Sequence, residues 1–466
     1  MRPSQRAASG WAERFHLYVL SDTSDIGVAA REDERFAALA ATWAGRLAVT
    51  YRRREKNDGF KAGNIEDFCD RWGGAHDFAV TLDADSIMTA NAVLRLVRVM
   101  QLDPRIGILQ GLVIGLPSKS AFTRLFQFGM RLGMRSYTLG SAWWQGDCGP
   151  YWGHNGILRL APFMAHCRLP PLAKTGPLGG FILSHDQVEA VLMRRAGYEC
   201  RVLPQEDLGW EENPPTLIEF LRRDLRWCQG NLQYLRLLGL PGLKFVSRYQ
   251  LAFAILMFLG SPGWIGLFVI GMLALAAAPS AADVLRADAA GVLLGLVLLM
   301  WVAPKLASVI DVLARPAEIA RFGGLARFCC GVAVETAFTL LLLPIMWVRH
   351  TLFMAGLPFG RAIGWIGQVR DDHSVPLAEA ARYLWPHAAL GWGAIALLAA
   401  THPATIPWSL FLAAGPALAI PFATLTSSPR VGAVLVKLGL GRLPEETAPP
   451  PALRALAATA KAATQA

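Results

Sequence analysis

The chain has no CxxC pair. Its seven cysteines are scattered over 466 residues, so neither a zinc site nor a disulfide framework is indicated, and a reducing, cytosol-facing environment fits. It also lacks a lysine-rich patch interleaved with aromatics. The net charge of +10 is carried mostly by arginines at the ends of apolar runs, a pattern of membrane orientation, and no nucleic-acid partner is expected. No cleavable leader is expected either, because "MRPSQRAASGWAERFHLYVL" has basic residues but no apolar core of signal length before its first acidic residue. No internal repeat stands out. Charge is scarce, at 17% against 53% hydrophobic residues and a mean hydropathy of +0.35, and this balance excludes an ordinary soluble enzyme.

What charge there is lies unevenly. Residues 1–248 mix charges throughout, 249–430 carry long apolar runs, and the alanine-rich 431–466 reads as a disordered tail. In the first part short strand patterns, "FHLYVL" (15–20), "RLAVTY" (46–51), "DFAVTL" (77–82) and "IGILQG" (106–111), alternate with helix patterns such as "AGNIEDFCDRW" (62–72) and "ANAVLRLVRVMQ" (90–101). That alternation predicts an open α/β sheet with polar residues at the carboxyl ends of its strands, where such sheets bind ligands.

Several strand ends carry chemistry. In "FAVTLDADSIMT" (78–89) a buried strand opens onto Asp83 and Asp85. Two carboxylates so placed converge on one hard cation, magnesium or manganese, whose remaining ligands are water and phosphate oxygens. Alone, such a pair is more often a solvated turn. "YRRREKNDGFKAGN" (51–64) sets Arg52, Arg53, Arg54, Lys56 and Lys61 before a helix start, an arrangement suited to phosphates although a charge run is usually a solvated face. "FLRRDLRWCQGN" (220–231) brings Arg223, Arg226 and Trp227 within about one helical turn, and an amphipathic helix on a membrane surface is the competing account. "GGFILSHDQVEA" (179–190) holds Asp186, either a helix cap or a base for a hydroxyl nucleophile, and "YWGHNGILR" (151–159) holds His154 and Asn155.

Taken in order, "SDTSD", "KAGN", "DADS", "GHN", "SHD" and "RxxRW", followed by membrane helices, resemble the processive family 2 glycosyltransferases, relatives of cellulose and hyaluronan synthases with a GT-A catalytic domain. Longer strings, among them "NIEDFCDRWGG", "ILSHDQVEAVLMRRAGY" and "RDDHS", are most similar to the glucosyltransferases of osmoregulated periplasmic glucan synthesis. The resemblance spans about residues 15–425 and implies a UDP-glucose-dependent, inverting, multi-pass inner-membrane enzyme with a cytoplasmic catalytic domain. Such an enzyme builds a β-1,2-linked glucan and helps to translocate it; a periplasmic glucan-processing protein and acyl carrier protein are implied partners. It further implies that Asp22, Lys61, Asn64, Arg223 and Arg226 contact the nucleotide sugar, that Asp83 and Asp85 hold Mg2+ or Mn2+, that Asp186 is the base, and that His154, Asn155 and Trp227 meet the acceptor. Glu206, Asp207 and Glu211 are rival bases. Two departures stand out. Asp186 follows Ser-His where the family has Thr-Glu, and no strand precedes Phe15, so the sheet is expected to lack its first strand. A synthase using another UDP sugar, or a catalytically silent scaffold that keeps the fold, is the alternative.

In the second part, 251–277, 290–312, 386–402 and 405–425 are runs of about spanning length. The longer run 328–360 contains Pro344 and Arg349-His350 and is expected to cross twice, which returns "QVRDDHSVP" (368–376) to the catalytic side. Glu335 lies within it, where a carboxylate needs a partner.

Overall fold

Four of the expected strands form in the computed structural model, which describes residues 13–284, 287–364 and 369–465. In chain order the catalytic half runs β1 (His16–Ser21), α1 (Ile26–Trp43), β2 (Ala48–Arg53), α2 (Phe60–Trp72), β3 (Phe78–Thr81), β4 (Ile87–Met88), α3 (Ala90–Leu102), β5 (Ile106–Gly111), β6 (Val113–Gly115) and α4 (Ala121–Gln145). It continues with β7 (Gly156–Arg159), α5 (Leu160–His166), α6 (His185–Arg195), β8 (Glu199–Leu203), β9 (Gly209–Glu211) and α7 (Leu217–Gln233). The main sheet has the order β3-β7-β5-β8. β7 is antiparallel to both β3 and β5, and β5 is parallel to β8. Neighbouring residues therefore serve opposite faces: Ile108 and Leu158 pack with Val188 and Leu192 of α6, while Leu109 and Ile157 pack with Leu96 and Met100 of α3. β1 and β2 make a separate parallel pair. Among the described residues neither is hydrogen-bonded to β3.

The helical half comprises α8 (Phe245–Ala277), α9 (Ala287–Leu313), α10 (Pro316–Arg321), α11 (Leu325–Gly356), α12 (Leu377–Thr401), α13 (Ile406–Ala417), α14 (Ala419–Ser427), α15 (Pro429–Leu438) and α16 (Pro451–Gln465). Four helices, α8, α9, α11 and α12, are long and apolar enough to cross a membrane, and α13 with α14 forms a further candidate bent by 54°. Their contacts show which way each runs. α8 begins beside the catalytic core through Leu251, Ile255 and Phe258. Its far end meets Leu398 of α12 and Ala413 of α13 through Phe268, Met272 and Leu275. α9 returns, since Val312 packs on Phe128 and Leu132 of α4. α12 leaves the same side through Ala380 and Leu384, and α14 comes back to it through Ala419, Phe422 and Ala423.

α11 does neither. The expected pair of crossings in 328–360 is instead one unbroken helix with Pro344 inside it. Its buried positions Phe328, Gly331, Glu335, Phe338, Leu342, Ile345 and Val348 recur every three or four residues straight through the proline, and His350 and Phe353 follow. Phe328 packs on Phe128 of α4, Phe338 on Phe122 of α4, and Phe353 in the core that contains Val188 of α6. Contact along this whole length outweighs the hydrogen bond that the proline forgoes, since burying one such phenylalanine is worth about 2 kcal/mol. Both ends of α11 therefore lie on the catalytic side. The segment after it, from Val369, thus reaches the catalytic domain after a single outward and return pair of helices, α8 and α9, where two such pairs were expected.

The C-terminal segment also departs from expectation. It is not a disordered tail: α15 packs on the catalytic domain through Leu435, and Leu443 and Leu453 are buried. The physical reason is charge. Glu445 and Glu446 neutralise Arg131 and Arg124, which are buried on α4 and need anions.

Candidate active site

Three loops and two helices meet beyond the carboxyl end of β3. Asp83 and Asp85 follow that strand, and each carboxylate faces a cation from a distant segment. Lys61, on the first turn of α2, bonds Asp83 Oδ1. Arg370, on the segment between α11 and α12, bonds Asp85 Oδ2. Burial would raise the Asp83 pKa, but Lys61, and after it His154 and His185, outweigh burial and hold the carboxyl below its ordinary value.

Gly153 turns the "YWGHN" loop into this space with φ +79°, and its missing side chain matters. A Cβ there would stand 3.4 Å from Asp186 Cβ and 3.5 Å from Lys61 Nζ. The loop, the lysine and the carboxylate of Asp186 thus share one small volume. Asp186 is not the cap of α6; Ser184 holds that place, and Asp186 lies in the first turn with Oδ1 accepting from Gln187 N at 3.0 Å. The helix of Arg223, Arg226 and Trp227 is set against it by a second glycine. A Cβ on Gly230 would fall 2.3 Å from Ser184 Oγ, so only glycine lets α7 approach α6 this closely. Tyr234 OH fastens the same junction by donating to Ser184 O at 2.8 Å.

The arginines are held in different ways. Arg226 is depressed in pKa by burial and supported by the charges of Asp83 and Asp186. Burial brings Arg223 down to about 10, still a cation at neutral pH. Its guanidinium lies 4.7 Å from the Trp227 ring centre, and Nη2 donates to Asn213 Oδ1 at 3.1 Å. Trp227 is 42% exposed, which leaves a face for a sugar ring. Asp22 sits at the end of β1, gripped by Arg54 through Nε at 2.7 Å and Nη2 at 2.6 Å. Asn64 accepts from Arg52 Nη2 at 2.6 Å and donates to Leu20 O at 3.2 Å, tying α2 to β1.

Asn155 requires a correction. Expected to meet the acceptor, it is 0% exposed, with φ +52°, a left-handed conformation that asparagine tolerates. Its Oδ1 lies 2.9 Å from His154 Nδ1, so it orients the histidine from behind. His154 Nε2 faces Glu211 at 3.3 Å. Of the rival bases, Glu206 is consumed by Arg131 at 2.9 Å and Asp207 faces Arg95 at 3.8 Å; only Glu211 stays near the site.

Sequence reasoning passed over three further contributors. Gln110 braces the loop by accepting from Trp152 N at 2.9 Å and donating to His154 O at 3.0 Å; it ended a strand pattern and carried no other signal. His185 Nδ1 lies 3.0 Å from Glu189 Oε2 beneath Asp186, a buried pair at helical spacing. Burial alone would lower the His185 pKa, and Glu189 more than reverses that. Arg370 was visible only as part of an acidic loop.

Two adjacent carboxylates suit a hard divalent cation that takes its other ligands from phosphate. Among the described residues no group of three or more His, Cys, Asp or Glu side chains gathers to hold a metal.

Residues 78–304 match the family described as Glycosyl transferase family group 2. The chain is 35% identical over 96% of its length to glucans biosynthesis glucosyltransferase H of Caulobacter vibrioides, covering 70% of that protein. It is 35% identical over 96% of its length to the protein of that name from Pseudomonas entomophila, covering 54% of it. The Xylella fastidiosa protein of the same name is 34% identical over 95% of this chain and is covered to 72%. The chain belongs to the glucans biosynthesis glucosyltransferase H family, a branch of the family 2 glycosyltransferases and thus of the hexosyltransferases.

Proposed function

We propose that the protein is a UDP-glucose-dependent, inverting glucosyltransferase of the inner membrane that extends a β-1,2-linked glucan and passes it toward the other side of the bilayer. The observation that carries this reading is the meeting of Asp83, Lys61, Arg226 and Asp186 in one volume, with exposed Trp227 on the same helix as Arg226. Asp83 and Asp85 would hold a magnesium or manganese ion, which when bound neutralises charge on a departing diphosphate. Arg226, Arg223 and Lys61 add fixed positive charge around the same group, and preorganised charge of this kind lowers the barrier without reorganising at the moment of reaction. Asp22 and Asn64, held by Arg54 and Arg52, frame the nucleotide end. Asp186 takes the proton from the attacking acceptor hydroxyl. Attack opposite the leaving group inverts the anomeric centre. Arg370 shields Asp85 in the absence of nucleotide and is placed to move to a phosphate when one arrives.

The topology agrees. Arg315, Arg321 and Arg327 fall between the end of α9 and the first turn of α11, on the catalytic side, where the positive-inside tendency puts the cytoplasm and where nucleotide sugars are made available. The test is turnover of UDP-glucose with magnesium by the purified chain. Asp83→Ala and Asp186→Asn should each lower it by on the order of a hundredfold or more, with Asp186→Asn keeping its affinity for UDP. Unchanged turnover in either variant overturns the assignment, and absence of sugar-nucleotide binding in the unaltered protein favours a silent scaffold.

A further inference from the structure

Behind the segment that carries Arg370 lies a cavity of ≈ 590 Å³ between α16, the start of α4 and the loop before α7. Asp83, Asp186 and Trp227 do not line it. The most buried polar residue of its lining is Gln127, 1% exposed, with both amide atoms lacking a partner. Beside it Asn213, 7% exposed, gives Oδ1 to Arg223 and leaves Nδ2 without one. Buried amides are rarely left so. Lys119, Arg370 and five carboxylates also line it: Glu445 and Glu446, already paired with Arg131 and Arg124, and Glu212, Asp371 and Asp372; burial, and then the charges of Asp371 and Asp372, raise the pKa of Glu212. The aliphatic floor is Leu116 with Leu453 and Leu456 of α16.

This inventory discriminates among ligands. The excess of carboxylates repels phosphates and nucleotides. A metal ion or an organic ammonium would satisfy the carboxylates but leave the donors Gln127 Nε2 and Asn213 Nδ2 unanswered. A sugar hydroxyl both donates and accepts, and the C–H faces of a pyranose suit the leucine floor. The volume lies within the range of small-ligand sites. We propose that this cavity is a second carbohydrate site, distinct from the acceptor position at Trp227, which takes a short segment of β-glucan. The choice of glucan rests on the glucosyltransferase reading; the preference for a neutral polyol rests on the cavity alone. Asp371 and Asp372 directly follow Arg370, so sugar bound here holds the segment that reaches Asp85.

The test uses the full chain in a detergent without a sugar headgroup, titrated calorimetrically with a β-1,2-linked glucose disaccharide in the absence of nucleotide. Gln127→Leu, close in volume, should weaken binding roughly tenfold, the effect of leaving one hydrogen-bonding site unmatched. Asp372→Asn, at the mouth and without a role in packing, should weaken it less but measurably. Trp227→Ala, which alters only the acceptor position, should leave in place the binding event that Gln127→Leu weakens. Undiminished binding in both cavity variants, loss of binding in Trp227→Ala alone, or titration of the cavity by spermidine and not by the disaccharide overturns the proposal. UDP-glucose affinity measured on the same samples separates the two readings: its absence beside intact disaccharide binding removes the donor assignment and leaves the cavity assignment standing.

Discussion

At the scale of single residues, the site is a set of charges each answered by a group from elsewhere in the chain, and His185 with Glu189 is the most deeply placed example. The pair sits one residue from Asp186 and adds positive potential at Asp83. Because the His185 pKa is raised in the fold above 6.5, its protonation stabilises the native state fully below pH 6.5, and that contribution is lost as pH rises through the folded value. His185→Gln leaves Glu189 buried without a cation, at a cost on the order of 3 kcal/mol at low pH. Thermal midpoints of the two proteins should therefore lie furthest apart in acid and converge as pH rises. A constant gap across the range would show that folding does not shift the His185 pKa. The sequence displayed these candidates, Asp83 with Asp85 and Arg223 with Arg226 and Trp227, because each set is a local pattern on one turn. It hid their partners, since Arg370 stands 285 positions from Asp85.

At the scale of elements, four of the nine strands described and the apolar helices were legible from periodicity, while α11 was misread for a physical reason. An apolar run of that length has the composition of crossing helices whether its neighbours are lipid or protein. What decides is the partner. Val334 and Leu341 pack in the same cluster as Phe338, Leu342 and Ile345, together with Phe122 and Leu217 of the catalytic domain and Leu384 and Phe422 of the helical bundle. His350 adds a polar tie, bonding Asp224 of α7 and lying 2.9 Å from Ser261 of α8. A helix that keeps both ends on one side makes a clear prediction. With Cys329 and Cys330 replaced by serine, single cysteines at Gly324 and at Phe359, either end of α11, should both react with a membrane-impermeant maleimide from the face that exposes the catalytic domain. Reaction of the two from opposite faces would make α11 a crossing helix and break the parity that brings Arg370 to Asp85. Phe338→Ala should cost about 3–5 kcal/mol, because its ring is enclosed by Phe122 and Phe422.

At the scale of the whole molecule, catalytic domain, helical bundle and C-terminal segment are joined through one buried charge network. Arg131 on α4 donates to Glu206 from Nη1 at 2.9 Å and to Glu445 from Nε at 3.1 Å. Glu206 also faces Arg321 of α10 at 3.7 Å, and Arg124 reaches Glu446 at 2.9 Å and Leu440 O at 2.6 Å. Composition alone made the segment after Pro444 look disordered, because alanine carries no sign of which carboxylates nearby have buried arginines waiting for them. Ending the chain after Leu440 strips Arg131 and Arg124 of Glu445 and Glu446. The expected loss is on the order of 3 kcal/mol, less than for a wholly isolated charge because Glu206 remains. It should appear as a lower unfolding midpoint followed by tryptophan fluorescence. Arg131→Met should then cost less in the shortened chain than in the full one, since part of the burden of that arginine has already been left uncompensated. Equal costs in the two backgrounds, or an unchanged midpoint on shortening, would mean that the segment is not part of the folded unit.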